Sequence, residues 1–310
     1  MNANELLLNK LVKIPIEWDI AFQEDFFPDR LEIWVLPETL FHQVTTDSSL
    51  THDDFPNVSD GTGTRPYSSS IVFLHFCRLY PNLFLNPEHS LVELGAGTGL
   101  CGLMIAKARQ RYCSQVCPQS VISPSILITD GEQLAVQIAK RNCSFLDLTE
   151  REVNVEVLTW SEDTKSIQKI APLHSFHYVV GTDLLYYRTP IRALMITAES
   201  LLSKRSCNTE TYINEEERYD GAIFLPALIR SPSIPKDLLD ICDELNLKVY
   251  VLPIESFYTP ANPMIYNTSF LIATRTDAKL HPDLQRILEN ANLYTGMNEE
   301  QDFEPLPFMS

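Results

Sequence analysis

Several things are scarce in this 310-residue chain, and each scarcity closes off a class of protein. Long apolar runs are missing: nothing approaches the roughly 18 consecutive apolar residues of a membrane span. The opening MNANELLLNKLVKIP lacks a basic stretch followed by an uninterrupted apolar segment. No membrane contact and no secretory leader are expected, so the Asn-x-Ser/Thr matches at Asn57, Asn142 and Asn267 read as chance. Positive charge is in deficit, 24 Lys and Arg against 41 Asp and Glu, and the net charge is -17. That balance speaks against gripping nucleic-acid phosphates through a basic patch. It would draw a basic protein partner, and it serves solubility equally well. Framework cysteines are missing too: the seven present are scattered and odd in number, as free thiols in a reducing compartment would be. A cytoplasmic or nuclear location follows as an expectation. Cys113 and Cys117 find no further Cys or His nearby to complete a zinc site, so no metal is expected.

Glycine is scarce as well, 10 residues in all, yet four of them fall in LVELGAGTGLCG at 91 to 102. Leu91 and Val92 suit a buried strand, Glu93 sits at its carboxyl end, and Gly95, Gly97 and Gly99 precede the helical pattern LCGLMIAKA. A strand, a glycine turn and a helix N-terminus together suit a nucleotide-bearing ligand, because the turn admits close approach and free N–H groups point outward.

Alternation continues along the chain. ILITD at 126 to 130, VNVEVL at 153 to 158, FHYVVGTD at 176 to 183, AIFLPALI at 222 to 229, 247 to 254 and SFLIATR at 269 to 275 read as strands. Helices are expected from Ser68, from about 99 to 110, over GEQLAVQIAKRNCSFL, over TPIRALMITAESLLSK and at about 235 to 246. YCSQVCPQSVISPS at 112 to 125 reads as an inserted surface loop. This is an α/β, doubly wound fold with a mostly parallel sheet and one large core. Residues 1–65 read as an N-terminal extension with one strand, LEIWVLP at 31 to 37, and a loop around 45 to 64. Residues 66–276 form the main domain, and 277–310 a C-terminal helix and acidic tail ending in NEEQDFEPLPFMS.

Ligands in such sheets bind beyond the strand carboxyl ends. Glu93, Asp130, Trp160 and Asp183 all lie at or just past strand ends. Gly97, Gly99 and Gly102 satisfy G-x-G-x-x-G, but the first stands three residues beyond Leu94, whereas the dinucleotide fingerprint opens directly off the strand. G-x-G-x-G after an acidic strand end instead suits S-adenosylmethionine, which has no pyrophosphate to cradle. Asp130 can take both ribose hydroxyls, and it can equally cap the next helix.

With these ends aligned, the sequence resembles methyltransferase family 16, the seven-strand S-adenosylmethionine enzymes that include many protein-lysine methyltransferases. The likeness runs from about Gly63 to Arg275 and rests on VELGAGTG at 92 to 99, ITD at 128 to 130, LTW at 158 to 160 and TDLLYY at 182 to 187. It implies a Rossmann-like seven-stranded sheet with an antiparallel last strand. It implies cofactor contacts from Tyr67, Glu93, Gly95, Ala96, Gly97, Gly99, Asp130, Trp160 and Thr182, with Trp160 beside the adenine. Asp183 and Tyr186 match its Asp-x-x-Tyr signature and would be catalytic. The sequence departs from the family at Tyr67, where a tryptophan is usual four positions after the glycine.

Under that resemblance the expected activity is methylation of a lysine on a protein substrate. Asp183 would hold the incoming ammonium on the methyl axis, and Tyr186 would wall the lysine channel. An arginine, a histidine or a small amine as acceptor, and a non-catalytic scaffold, stay open on the sequence alone.

Overall fold

The computed structural model describes residues 3–17, 26–27, 30–37, 63–116, 126–186, 189–204, 219–228, 233–258 and 268–294. The loop expected around 45 to 64 and the C-terminal tail lie largely or wholly outside them.

A helix, α1 (Ala3–Leu8), leads into an antiparallel pair, β1 (Val12–Glu17) and β2 (Arg30–Val35). The repeating units follow: α2 (Ser68–Leu79), β3 (Leu91–Glu93), α3 (Leu100–Val116), β4 (Ile126–Asp130), α4 (Gln133–Phe145), β5 (Val153–Val157), α5 (Thr164–Gln168), β6 (Tyr178–Val180), α6 (Ile191–Leu201), β7 (Ala222–Leu228), α7 (Ser233–Glu244), β8 (Leu247–Leu252), β9 (Thr268–Arg275), α8 (Pro282–Glu289) and β10 (Asn292–Leu293).

The main sheet runs β10-β8-β9-β7-β6-β3-β4-β5. Strands β3 to β7 are parallel, and β9 lies antiparallel between β7 and β8, as the resemblance implied. The sheet has eight strands rather than seven, because the two-residue β10 pairs antiparallel with β8 at the edge. From β3 the chain winds outward through β4 and β5, then returns to β6 on the other side. The switch in strand order therefore falls between β3 and β6, where Val92 faces Val179. A crevice at the strand carboxyl ends is expected there.

Both faces of the sheet are covered. On one, α2 contributes Phe73 and Phe76, which pack with Phe84, Phe224 and Phe270. Edge-on and tilted contacts between these rings run from 4.6 Å for Phe76 and Phe270 to 6.5 Å for Phe224 and Phe270. Truncating a buried ring of this kind costs about 3–5 kcal/mol, so this cluster fixes α2 firmly over the sheet. On the other face, α6 and α7 bring Leu194, Met195 and Leu238 against Val179, Ile223 and Leu271.

The N-terminal residues dock on α4 through Leu7, Leu11, Leu36, Leu134 and Ile138. Their structure is richer than the single strand expected. Pro15 within VKIPIE argues against a strand in sequence, but β1 is an edge strand, where a missing N–H is tolerated. A second correction concerns 112 to 125: residues 112–116 continue α3 as helix, and 117–125 lie outside the described residues. Cys77, Cys101, Cys113, Cys143 and Cys242 are free thiols. Among the described residues no cluster of His, Cys, Asp and Glu could hold a metal, and no helix is long and apolar enough to cross a membrane.

Candidate active site

Beyond the carboxyl ends of β3, β4 and β6 lies a cavity of about 460 Å³, within the range of small-molecule sites. Its wall takes in Tyr67, Gly95, Ala96, Gly97, Asp130, Trp160, Thr182, Asp183 and Tyr186. Nine residues singled out by the glycine turn, the strand ends and the family resemblance thus converge on one space. Glu93 and Gly99 do not reach it.

The turn after β3 is held by its backbone. Leu94 donates to Val180 O at 2.8 Å and Ala96 donates to Thr129 O at 2.9 Å, tying the turn to both neighbouring strands. Gly97 has φ +56°, and a Cβ there would stand 2.7 Å from the Gly63 carbonyl oxygen. Gly95, at φ +57°, would collide with Leu184 and press on Trp160. The glycines therefore let the protein approach itself, bringing the 63–67 segment and the β6 turn close enough to enclose the cavity. That segment is continuous with β2 through Leu36, which donates to Thr64 O at 3.1 Å. Asn142 of α4 braces the same corner: it accepts from Trp34 N at 2.6 Å and donates to Thr98 O in the turn at 3.0 Å.

Asp130 is the polar floor. Its Oδ2 accepts from Gly97 N at 2.8 Å and its Oδ1 from Glu132 N at 2.9 Å, yet each oxygen keeps lone-pair capacity for a further donor. Burial raises its carboxyl above the usual range, and the N–H bonds from Glu132, Gly97 and Gly131 oppose that rise. Trp160 presents an indole whose Nε1–H is buried with no hydrogen-bond partner among the described residues. Tyr67 is 38% exposed at the mouth, so it serves as a wall rather than as core packing.

Asp183 adopts φ +58°, a left-handed conformation that non-glycine residues rarely hold outside constrained sites. The surrounding bonds enforce it. Its N–H donates to Pro226 O at 2.8 Å, while its Oδ1 accepts from Leu228 N at 3.2 Å and from Ser69 Oγ at 3.4 Å. Strand β7 and helix α2 thus aim the carboxylate. Tyr186 follows in a tight turn in which its N–H donates to Leu184 O at 3.2 Å and Thr189 Oγ also donates to Leu184 O. Tyr187 lies outside the described residues.

Glu93 needs correction as a wall residue. It is 1% exposed and sits beneath the turn, where its Oε2 accepts from Gly102 N at 2.7 Å. Burial pushes its carboxyl up to about 7. Between an ordinary value near 4.5 and 7, the folded chain holds a proton the unfolded chain has released. Stability must therefore fall as pH rises through that window, the reverse of a salt-bridged carboxylate. Glu93→Gln keeps an acceptor for Gly102 and should flatten that slope. Urea midpoints at pH 5 and pH 8 should shift in the variant's favour by up to about 3 kcal/mol over the range.

Gly99 also plays another part, since a Cβ there would meet Ala139 and Leu103. Reasoning from strand ends missed Arg65, Ser70, Glu132 and Leu184, which line the cavity. Ser70 reads in sequence as a helix start, and only the fold shows its hydroxyl 2.8 Å from Thr182 Oγ1.

Strand order, the glycine turn and the strand-end carboxylates together define a Rossmann-like class I methyltransferase fold. The sequence profile of the lysine methyltransferase family matches residues 81–227, which bears out the resemblance to methyltransferase family 16. The calmodulin-lysine N-methyltransferase of Arabidopsis thaliana is 22% identical over 156 residues, covering 50% of this chain and 46% of that protein. The chain thus matches under half the length of this curated relative. Similar solved structures include an Aquifex aeolicus SAM-dependent methyltransferase, 12% identical, with a TM-score of 0.40 over 67% of this chain and 98% of that one. The 16S rRNA N2 G1207 methyltransferase of T. thermophilus, solved with AdoMet and guanosine, is 10% identical, with a TM-score of 0.45 over 86% of this chain and 50% of that one.

The residues present fit S-adenosylmethionine. Asp130 offers acceptors to ribose hydroxyls, the Trp160 indole offers a flat apolar face with an unsatisfied donor, and the cavity volume suits a small molecule.

Proposed function

We propose that the protein is an S-adenosylmethionine-dependent methyltransferase that acts on a lysine side chain of a protein substrate. The observation carrying this reading is the shared cavity of Asp130 and Asp183, one carboxylate suited to a ribose and the other to an incoming amine. The match to the lysine methyltransferase family supports lysine as acceptor, and the Arabidopsis relative's name supports a protein as its bearer. The five free thiols among the described residues support a reducing compartment, the cytoplasm or nucleus.

When bound, S-adenosylmethionine supplies a methyl group on a positively charged sulfur. The chain's own work is alignment, since a displacement at carbon depends on holding nucleophile and leaving group in line. Asp183, its carboxylate oriented by Leu228 and Ser69, takes the incoming ammonium. Tyr186 flanks the same approach and can face the cation with its ring. Leu184 and Trp160 desolvate the nitrogen, which lowers the amine's pKa and frees its lone pair, the proton leaving to water at the mouth.

Asp130→Ala is expected to weaken S-adenosylhomocysteine binding by about 30- to 100-fold, the loss of charge-assisted hydrogen bonds at roughly 2–3 kcal/mol. Calorimetry reads this directly, and circular dichroism controls for folding. The activity itself is tested by incubating the protein with methyl-labelled cofactor and a cell extract. Label in protein, traced by peptide mass spectrometry to a methylated lysine, is the expected result. Label confined to small molecules, or to arginine or histidine, would overturn the lysine assignment.

A further inference from the structure

Glu93 is one layer removed from the cavity and has no part in the chemistry described above. Its carboxylate ends β3 beneath the glycine turn, wholly inside the protein. The ionisable groups facing it are the Cys101 thiol from α3, the Cys77 thiol from α2 and the Asp130 carboxylate from β4. Burial pushes both thiols up, so they stay neutral, and Asp130 repels a second negative charge. Hydrogen bonds from Gly102 N and from Cys101, at the positive end of α3, are what favour the anion. A carboxylate set among these opposing influences is balanced between its charged and neutral forms.

The connection to the cavity is short. Cys101 bonds both Glu93 and the Thr182 side chain, and it donates to Ser70 O at 3.9 Å. Ser70 and Thr182 share a 2.8 Å hydroxyl contact and both line the cavity. A positive charge in that cavity would act on Glu93 across packed protein with little solvent screening.

We infer that Glu93 is a charge switch beneath the methyl donor, ionised while the cationic donor is bound and protonated once the sulfur has become neutral. The inference rests on the S-adenosylmethionine reading given above. On methyl transfer the amine lone pair forms the N–CH₃ bond, and the S–CH₃ electron pair stays on sulfur, which loses its positive charge. Glu93 then takes up a proton from solvent. By linkage, donor binding must expel that proton, so affinity for the donor rises with pH while affinity for the product does not. The switch thereby helps the site prefer fresh donor over spent product.

The test titrates S-adenosylmethionine and S-adenosylhomocysteine into the wild-type protein by calorimetry at pH 6, 7 and 8, and repeats both with Glu93→Gln. The ratio of the two dissociation constants should move about fivefold in favour of S-adenosylmethionine from pH 6 to pH 8, the effect of a one-unit fall in a single pKa from about 7. Glu93→Gln should remove that movement, which separates it from titration of the ligands' own amino groups. A ratio flat with pH in the wild type, with both ligands bound, would overturn the switch and leave the cofactor reading intact. A movement that persists in Glu93→Gln would also overturn it. Failure of both ligands to bind wild type would remove the cofactor reading and the switch with it. The wild-type comparison needs no variant, so it stands even if Glu93→Gln folds poorly.

Discussion

Asp183→Asn is expected to lower kcat/KM by about a thousandfold, the scale of a group that both positions the nucleophile and stabilises its charge. Affinity for S-adenosylhomocysteine should stay within about threefold, because removing the acceptor's anchor leaves the ribose and adenine contacts alone. Asparagine is the informative replacement. Asp183 sits at φ +58°, a conformation asparagine adopts with little penalty, and its side-chain oxygen can still accept from Leu228 N at the position of Oδ1. Alanine would add backbone strain of about 1 kcal/mol and so confuse a structural loss with a chemical one. Steady-state kinetics on the identified substrate measure the first quantity and calorimetry the second. Near-full activity in the asparagine variant would refute the role given to Asp183.

The second large effect is expected at Gly97. Alanine there combines a left-handed φ of +56° with a Cβ 2.7 Å from Gly63 O, and the obstructing atom is backbone, which cannot swing aside. A destabilisation of about 2–4 kcal/mol follows from strain plus overpacking. Displacing the 63–67 segment would also open the cavity wall that carries Tyr67, so S-adenosylhomocysteine binding should weaken by at least about tenfold, that is about 1.4 kcal/mol. Gly131 is the internal control. It lines the same cavity, yet a Cβ there would find its nearest neighbours 3.9 Å away, so alanine should change stability by less than about 1 kcal/mol. Urea denaturation of the two variants side by side decides the matter. Equal midpoints would show that the contact between Gly63 and Gly97 carries no weight.

The parts of this site that sequence made legible are those whose residue type and strand-end position carry the meaning. Glycines at alternate positions after a buried strand imply a turn, and Asp130 and Asp183 close strands whose pattern is plain. What escaped depends on approach in space. Ser69 and Ser70 look like ordinary helix-starting residues, yet α2 carries them to Asp183 and Thr182, more than a hundred positions away. Glu93 looks like a ligand contact because it precedes the turn. The strand's pleat instead directs it under α3, where Gly102 receives it. The strand β1 was hidden by Pro15, whose disfavour in sheets holds for central strands and not for an edge. The alternation that reveals the main sheet also says nothing of β10, since two residues have no period to read.

The most direct test of the central claim is a titration of S-adenosylhomocysteine into the purified protein. Single-site binding is predicted, with a dissociation constant between about 1 and 100 µM, the lower span of typical substrate affinities. Titration without heat up to millimolar ligand, from a protein shown to be folded, would contradict the account.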